Sequence, residues 1–222
     1  MAPDHQQLPV MCATTTPSTH IERMTKLNIQ QQNTNKSLVA QSDFLHHLDP
    51  NIYDIGVIQE LYLDQCHNSR ANHNWYTIYP KEHYTNPAST RLLILINKQL
   101  ATDTWLQVDP RSSDITAVQL HTVRGKLLII NMYNEGRQQQ RMKQAMQLLR
   151  ARAWCDNAGT SDHHIIWVGD FNLHHTMWDE DRNLHLFTRE NLEKSQCLID
   201  AITEFNLQMA LPKDIPTLRA LS

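Results

Sequence analysis

Asp170 and Asn172 stand two residues apart at the end of the apolar run Ile165–Val168, in the stretch WVGDFN. Two other apolar runs close in a similar way: VIQE ends on Glu60, and IINMYN ends on Tyr133 and Asn134. A carboxylate can hold a divalent cation or take a proton from water, and an amide or phenol can donate to a phosphoryl oxygen. Residues at i and i+2 of a strand share a face, so Asp170 and Asn172 are expected to look into one space. Rigid strands that deliver polar groups to a cleft are a common way to build a site. Strands that merely reach solvent also end on polar residues, and spacing alone leaves both readings open.

The elements that must position these groups can be traced along the chain. The first ~25 residues are polar and rich in Thr and Pro, a composition that predicts a flexible leader over residues 1–26. KLNIQQQN is a weak strand pattern, and KSLVAQSDFLHHL predicts a helix with Leu38, Leu45 and Leu48 on one face. DIGVIQE, NWYTIYP, STRLLILINK, DITAVQL and KLLIINMYN read as strands; the third and fifth are nearly all apolar and therefore buried. RQQQRMKQAMQLLRARAW is an amphipathic helix with Met142, Ala145, Met146, Leu149 and Ala153 at helical spacing. The strand HHIIWVGDF follows, and then a helix with Leu192, Ile199, Ile202 and Phe205 on one side. No repeat or linker interrupts residues 27–222, which predicts one α/β domain with its sheets sandwiched by helices.

Composition bounds the function without deciding it. At 222 residues and 41% hydrophobic, the chain can bury one sizeable core. A net charge of −3 shows no basic surface, although a bound cation or a local groove can serve a nucleic-acid substrate. Cys12, Cys66, Cys155 and Cys197 form no C-x-x-C pair, which predicts free, mostly buried thiols in a reducing compartment. With no apolar run of membrane-spanning length and no signal-peptide core, the expected location is intracellular, nuclear or cytoplasmic.

QNTNKS, DIGVIQE, DITAVQL, NMYN and GDFNLHHTMWD, in that order, together with the TR before LLILIN, resemble the endonuclease/exonuclease/phosphatase superfamily. More narrowly they are similar to the apurinic-type endonuclease domain of fungal non-LTR retrotransposons, across Leu27 to Ser222. The resemblance implies a four-layer αββα sandwich and phosphodiester hydrolysis of DNA with Mg²⁺ or Mn²⁺. It implies that Glu60 binds the metal, which suits a hard cation that takes few protein carboxylates. It further implies that Asn33 helps hold the phosphate or a metal-bound water, with Asn35 as the slipped alternative. Tyr133 would contact the scissile phosphate, Asp170 would deprotonate the attacking water, and Asn172 would position water or phosphate. Arg91, His174 and His175 are weaker substrate-contact candidates. Adjacent histidines diverge on a strand or turn, so HH is not a zinc pair.

The family's pattern also has, downstream of GDFN, an Asp on a late strand and then a Ser-Asp-His; no Ser-Asp-His follows before Ser222, and ALPKDIPTLRALS stands about where the sequence is expected to lead into those last strands. The Ser161-Asp162-His163 that does occur precedes GDFN, at the far end of its strand. The expectation is therefore a domain short of its last strands, with weak or no cleavage. A phosphatase-type branch of the superfamily, or a non-catalytic nucleic-acid-binding remnant, are the alternatives.

Overall fold

The computed structural model describes residues 26–135, 140–154, 163–211 and 213. The 1–25 leader, Ser161, Asp162, Cys12 and Cys155 lie outside the described residues, as do most residues after Leu211. Among the described residues there are eight strands: β1 (Ile29–Asn33), β2 (Ile55–Gln59), β3 (Trp75–Ile78), β4 (Leu92–Asn97), β5 (Trp105–Val108), β6 (Ile115–Thr122), β7 (Gly125–Tyr133) and β8 (His163–Asp170). Three α-helices accompany them: α1 (Leu38–His47), α2 (Gln140–Trp154) and α3 (Arg189–Glu204).

The strands form two four-stranded sheets, ordered β1-β2-β4-β3 and β5-β6-β7-β8. Period-2 alternation sorts their side chains into layers. Ile55, Val57, Ile94 and Ile96 of the first sheet meet Val118, Leu120 and Ile129 of the second in the central layer. The opposite parity of the first sheet, Ile58, Leu93 and Leu95, packs on Phe44 and Leu48 of the α1 segment. In the second sheet, Ile115, Ala117, Leu128 and Ile130 pack on Met142, Ala145 and Leu149 of α2 and on Leu198 of α3. The result is the four-layer sandwich of helix, sheet, sheet and helices. Among the described residues, no helix is long and apolar enough to cross a membrane.

Three expectations change. The buried face of α1 centres on Gln41 and Phe44, with Leu48 at the C-cap, whereas Leu38 and Leu45 are only half-buried. In α3 the buried line is Ser195, Leu198 and Ala201; Ile202 and Phe205 flank it, and Leu192 and Ile199 stay half-exposed. In both helices a polar side chain, Gln41 or Ser195, lies in the buried line, a place that apolar spacing does not mark. Cys66 is exposed and Cys197 half-buried, so neither described thiol is a core residue. The strand β5 has no clear signal in sequence, since it is only four residues long, WLQV, and Val108 alone of the four is buried.

The glycine of GDFN has a steric cause. Gly169 sits beside Met132 in the parallel β7–β8 ladder with φ +149°, and a Cβ there would lie 2.0 Å from the Met132 carbonyl oxygen. A side chain is thus excluded by backbone, which cannot yield as a rotamer can. Gly169→Ala is expected to lower unfolding stability by roughly 3 kcal/mol or more, or to prevent folding. Urea denaturation reads this directly, and an alanine variant with wild-type stability would contradict the steric account.

Candidate active site

Two parallel strand pairs bring the candidate residues to one rim. β1 runs parallel to β2 with Asn33 opposite Gln59, and β7 runs parallel to β8 with Tyr133 opposite Asp170. Parallel partners present their carboxyl ends together, so four chain segments leave the sheets side by side. Asn33, Tyr133 and Asp170 all share the parity of residues that face the layer between the sheets. One hydrogen bond closes the gap across it: Asn33 Nδ2 donates to Asp170 Oδ2 at 2.7 Å. Asn33, rather than Asn35, faces Asp170; the Asn35 amide instead donates to Asn33 Oδ1 at 2.8 Å and so orients that side chain.

Glu60 reaches the same rim by breaking alternation. Gln59 already points between the sheets, so a continued strand would turn Glu60 toward α1. A left-handed φ of +46° at Glu60 reverses this. The turn after β1 grips the Glu60 carbonyl, with Thr34 Oγ1 donating at 2.9 Å and Lys36 N at 2.6 Å. The Glu60 carboxylate then accepts the Tyr133 hydroxyl at 2.6 Å.

Asn172 also departs from the strand geometry expected for it. β8 ends at Asp170, and Asn172 lies beyond it with φ +47°. Its backbone N–H donates to Asp170 Oδ1 at 3.2 Å and its Nδ2 to the Asn134 carbonyl at 2.8 Å. Asn134, which sequence reasoning left out of the site, is the buried pin of this loop. Its N–H donates to the Asp170 carbonyl and its Nδ2 to that of Phe171. Asp114, also missed, is buried just before β6. Its carboxylate accepts from both Arg91 and Arg141, and its carbonyl accepts the Tyr133 N–H. The signal available was a charged residue directly before the apolar run of β6.

Arg91 lies at this rim, with its guanidinium turned to Asp114 and Glu135 and stacked over the Tyr133 ring. The histidines belong elsewhere. His174 faces Asp179, and the His175 N–H donates to the same carboxylate in a turn that packs on α3. His175 lines a shallow depression there with Arg189, Leu192, Glu193 and Gln196. His163 opens β8, at the opposite end of the strand from Asp170. Among the described residues no three His, Cys, Asp or Glu side chains gather as a cage. The rim offers instead two carboxylates and two carboxamides, a set of hard oxygen donors.

Residues 127–222 match the family model described as endonuclease-reverse transcriptase. The endonuclease domain of TRAS1, a telomere-specific non-LTR retrotransposon, superposes with a TM-score of 0.62 at 16% identity, over 86% of this chain and 76% of that one. The AP endonuclease LMAP from Leishmania major gives 0.59 at 13% identity, over 81% and 67%. No curated protein matches the chain. The chain has the endonuclease/exonuclease/phosphatase fold. At these identities the likeness is one of architecture, and within that fold the asparagine, glutamate, tyrosine and aspartate converge as described.

Burial pushes the Tyr133 hydroxyl up to about 12, helped by its hydrogen bond to Glu60 and by that carboxylate's charge. The folded protein therefore holds this proton more tightly than the unfolded chain. That contribution is complete below the ordinary value of 10 and is lost as pH rises from 10 to about 12. Tyr133→Phe should lose stability less steeply than wild type across this interval. Urea midpoints measured at successive pH values test it, and parallel curves for the two proteins would rule it out.

Proposed function

We propose that this chain is a divalent-metal-dependent phosphodiester hydrolase acting on DNA, of the retrotransposon-endonuclease kind. The observation that carries the reading is the Asn33–Asp170 bond across the sheets, at the rim where Tyr133 meets Glu60. The likeness to the TRAS1 endonuclease domain and to an AP endonuclease supports a DNA substrate. Lys36 and Arg111 add exposed positive charge in turns at this rim of an otherwise acidic chain.

The donor set fits Mg²⁺ or Mn²⁺, with Glu60 as the holding carboxylate and Asp170 within the same group of oxygens. Such a cation would offset phosphate charge and polarise a phosphoryl oxygen. Asp170 is the base that takes the proton from the attacking water. Its two oxygens are oriented by Asn33 and the Asn172 N–H, and each keeps a lone pair for a further donor. Tyr133 stays protonated at any physiological pH, so its hydroxyl is a donor that can pass from Glu60 to a phosphoryl oxygen. Asn172 and Asn134 hold the loop that follows Asp170, which keeps the base from swinging away from its target.

Nicking of supercoiled plasmid tests this reading. Wild type is expected to nick slowly in Mg²⁺ or Mn²⁺, in keeping with the weak cleavage expected from its sequence, and to stop on chelation. Asp170→Ala should slow the reaction by about 10²–10⁴-fold, the usual worth of a positioned base. Glu60→Gln should raise the metal concentration needed for half-maximal rate. A folded wild-type chain that does not nick, or an Asp170→Ala variant that nicks equally well, would refute the proposal.

A further inference from the structure

Behind the rim lies a cluster of charge that the proposed chemistry does not use. Asp114 is only 3% exposed, yet its carboxylate faces two arginines. Arg91 Nε donates to Oδ1 at 2.7 Å and Arg91 Nη2 to Oδ2 at 3.3 Å, while Arg141 Nε donates to Oδ2. Glu135 completes the group, 3.2 Å from Arg91 Nη1 and 3.6 Å from Arg141 Nη1. Two arginines thus meet two carboxylates contributed by both sheets, the loop after β7 and α2. A buried carboxylate with one removed partner is left strongly uncompensated, so the members hold one another in place.

This cluster touches the site at one residue. The Arg91 guanidinium carbon sits 5.0 Å from the centre of the Tyr133 ring, within range for a cation–π contact. The Tyr133 N–H donates to the Asp114 carbonyl at 3.0 Å. The Arg91 carbonyl accepts the Leu61 N–H at 3.3 Å, next to Glu60. Arg91 therefore bears on both partners of the Tyr133–Glu60 bond. Its Nε, Nη1 and Nη2 are all turned toward carboxylates, which leaves it poorly placed to grasp a substrate phosphate.

We infer that Arg91, locked by Asp114, is a positioning residue that fixes the Tyr133 ring over the site rather than a substrate-binding arginine. The fork geometry matters as much as the charge. Lysine can keep a cation near the ring but cannot make the two-pronged contact with Asp114. Arg141 and Glu135 extend the same lock to α2.

The kinetic part of the test rests on the proposed hydrolase activity, and a spectroscopic part does not. Arg91→Gln is expected to lower kcat for plasmid nicking by about tenfold to a hundredfold, the scale of a small misplacement of a reacting group. KM for DNA should change by less than about twofold, because a uniform-binding contact is not lost. Arg91→Lys should recover part of the lost kcat. In parallel, ring-labelled tyrosine observed by NMR, with Tyr133→Phe assigning the resonance, should show the Tyr133 signal moving in Arg91→Gln while the other tyrosines stay. Arg141→Lys, which leaves Arg91 and the ring contact intact, is the milder variant should Arg91→Gln fail to fold; it should move the Tyr133 signal by less, in the same direction. A rise in KM at unchanged kcat, or a Tyr133 resonance indifferent to both substitutions, overturns the inference. If the wild type does not nick, the hydrolase reading fails while the resonance still decides the positioning role.

Discussion

Two amides buried between the sheets decide whether any site can form. Gln59 Nε2 donates to Asn131 Oδ1 at 2.6 Å, and Asn131 Nδ2 donates to the carbonyls of Ile58 and Leu93. Both side chains are fully or nearly fully buried. Around them the central layer is aliphatic, and isoleucine against valine tolerates sliding far better than amide against amide. A slip of one sheet over the other would strand these groups without water, at about 1–3 kcal/mol for each unsatisfied one. Gln31 continues the chain of amides from the edge strand, donating to Gln59 Oε1 at 3.3 Å and to the Gly169 carbonyl at 3.1 Å. Each amide precedes a site residue by one or two positions, so the registry it sets is the registry of Asn33, Glu60, Tyr133 and Asp170.

Backbone conformation then does what alternation cannot. Glu60 and Asn172 are both left-handed at the ends of their strands, and Asn35 and Lys36 follow Asn33 in the same region. Such conformations cost energy in a non-glycine residue and persist where surrounding hydrogen bonds overdetermine them. Here Thr34 and Lys36 hold the Glu60 carbonyl, and Asn134 and Asp170 hold Asn172. At Glu60 the reversal lies where one more extended residue would have carried the side chain away from the rim.

Much of this was legible in the sequence, and the part that was not has a common cause. Apolar runs announced β2, β4, β6, β7 and β8, and their polar endings named Glu60, Tyr133 and Asp170 as residues to watch. Period-2 logic put Asp170 and Asn172 on one face of a strand running on past Asp170. The strand instead ends at Asp170 and Asn172 has φ +47°, since a strand pattern carries no sign of where the backbone turns left-handed. Asn131 interrupts the apolar run LLIINMY and could have been flagged as a polar residue with a buried partner. Its partner could not, since Gln59 lies 72 residues away and pairing at that distance is written only in the packing. Asp114 was missed for the same reason: a carboxylate before a strand looks like a surface residue until two distant arginines are seen to enclose it.

The separation of charge between the two layers of this rim bears on the proposed cation. In front, Glu60 and Asp170 accept from neutral donors, namely the Tyr133 hydroxyl, the Asn33 amide and the Asn172 N–H. Behind, the two arginines are matched by Asp114 and Glu135. Had Arg91 turned forward to pair with Glu60, it would have cancelled the charge that a divalent cation needs. The buried Asp114 instead draws both guanidinium groups back, at a desolvation cost offset by the paired geometry. Neutral donors orient the front carboxylates without neutralising them, so their negative charge is left for a ligand from solvent. The ion cluster lends rigidity to Tyr133 through its ring face while leaving its hydroxyl on the side of the carboxylates. Orientation and charge are thus supplied by different residues, and a substitution in one layer can be read separately from a substitution in the other.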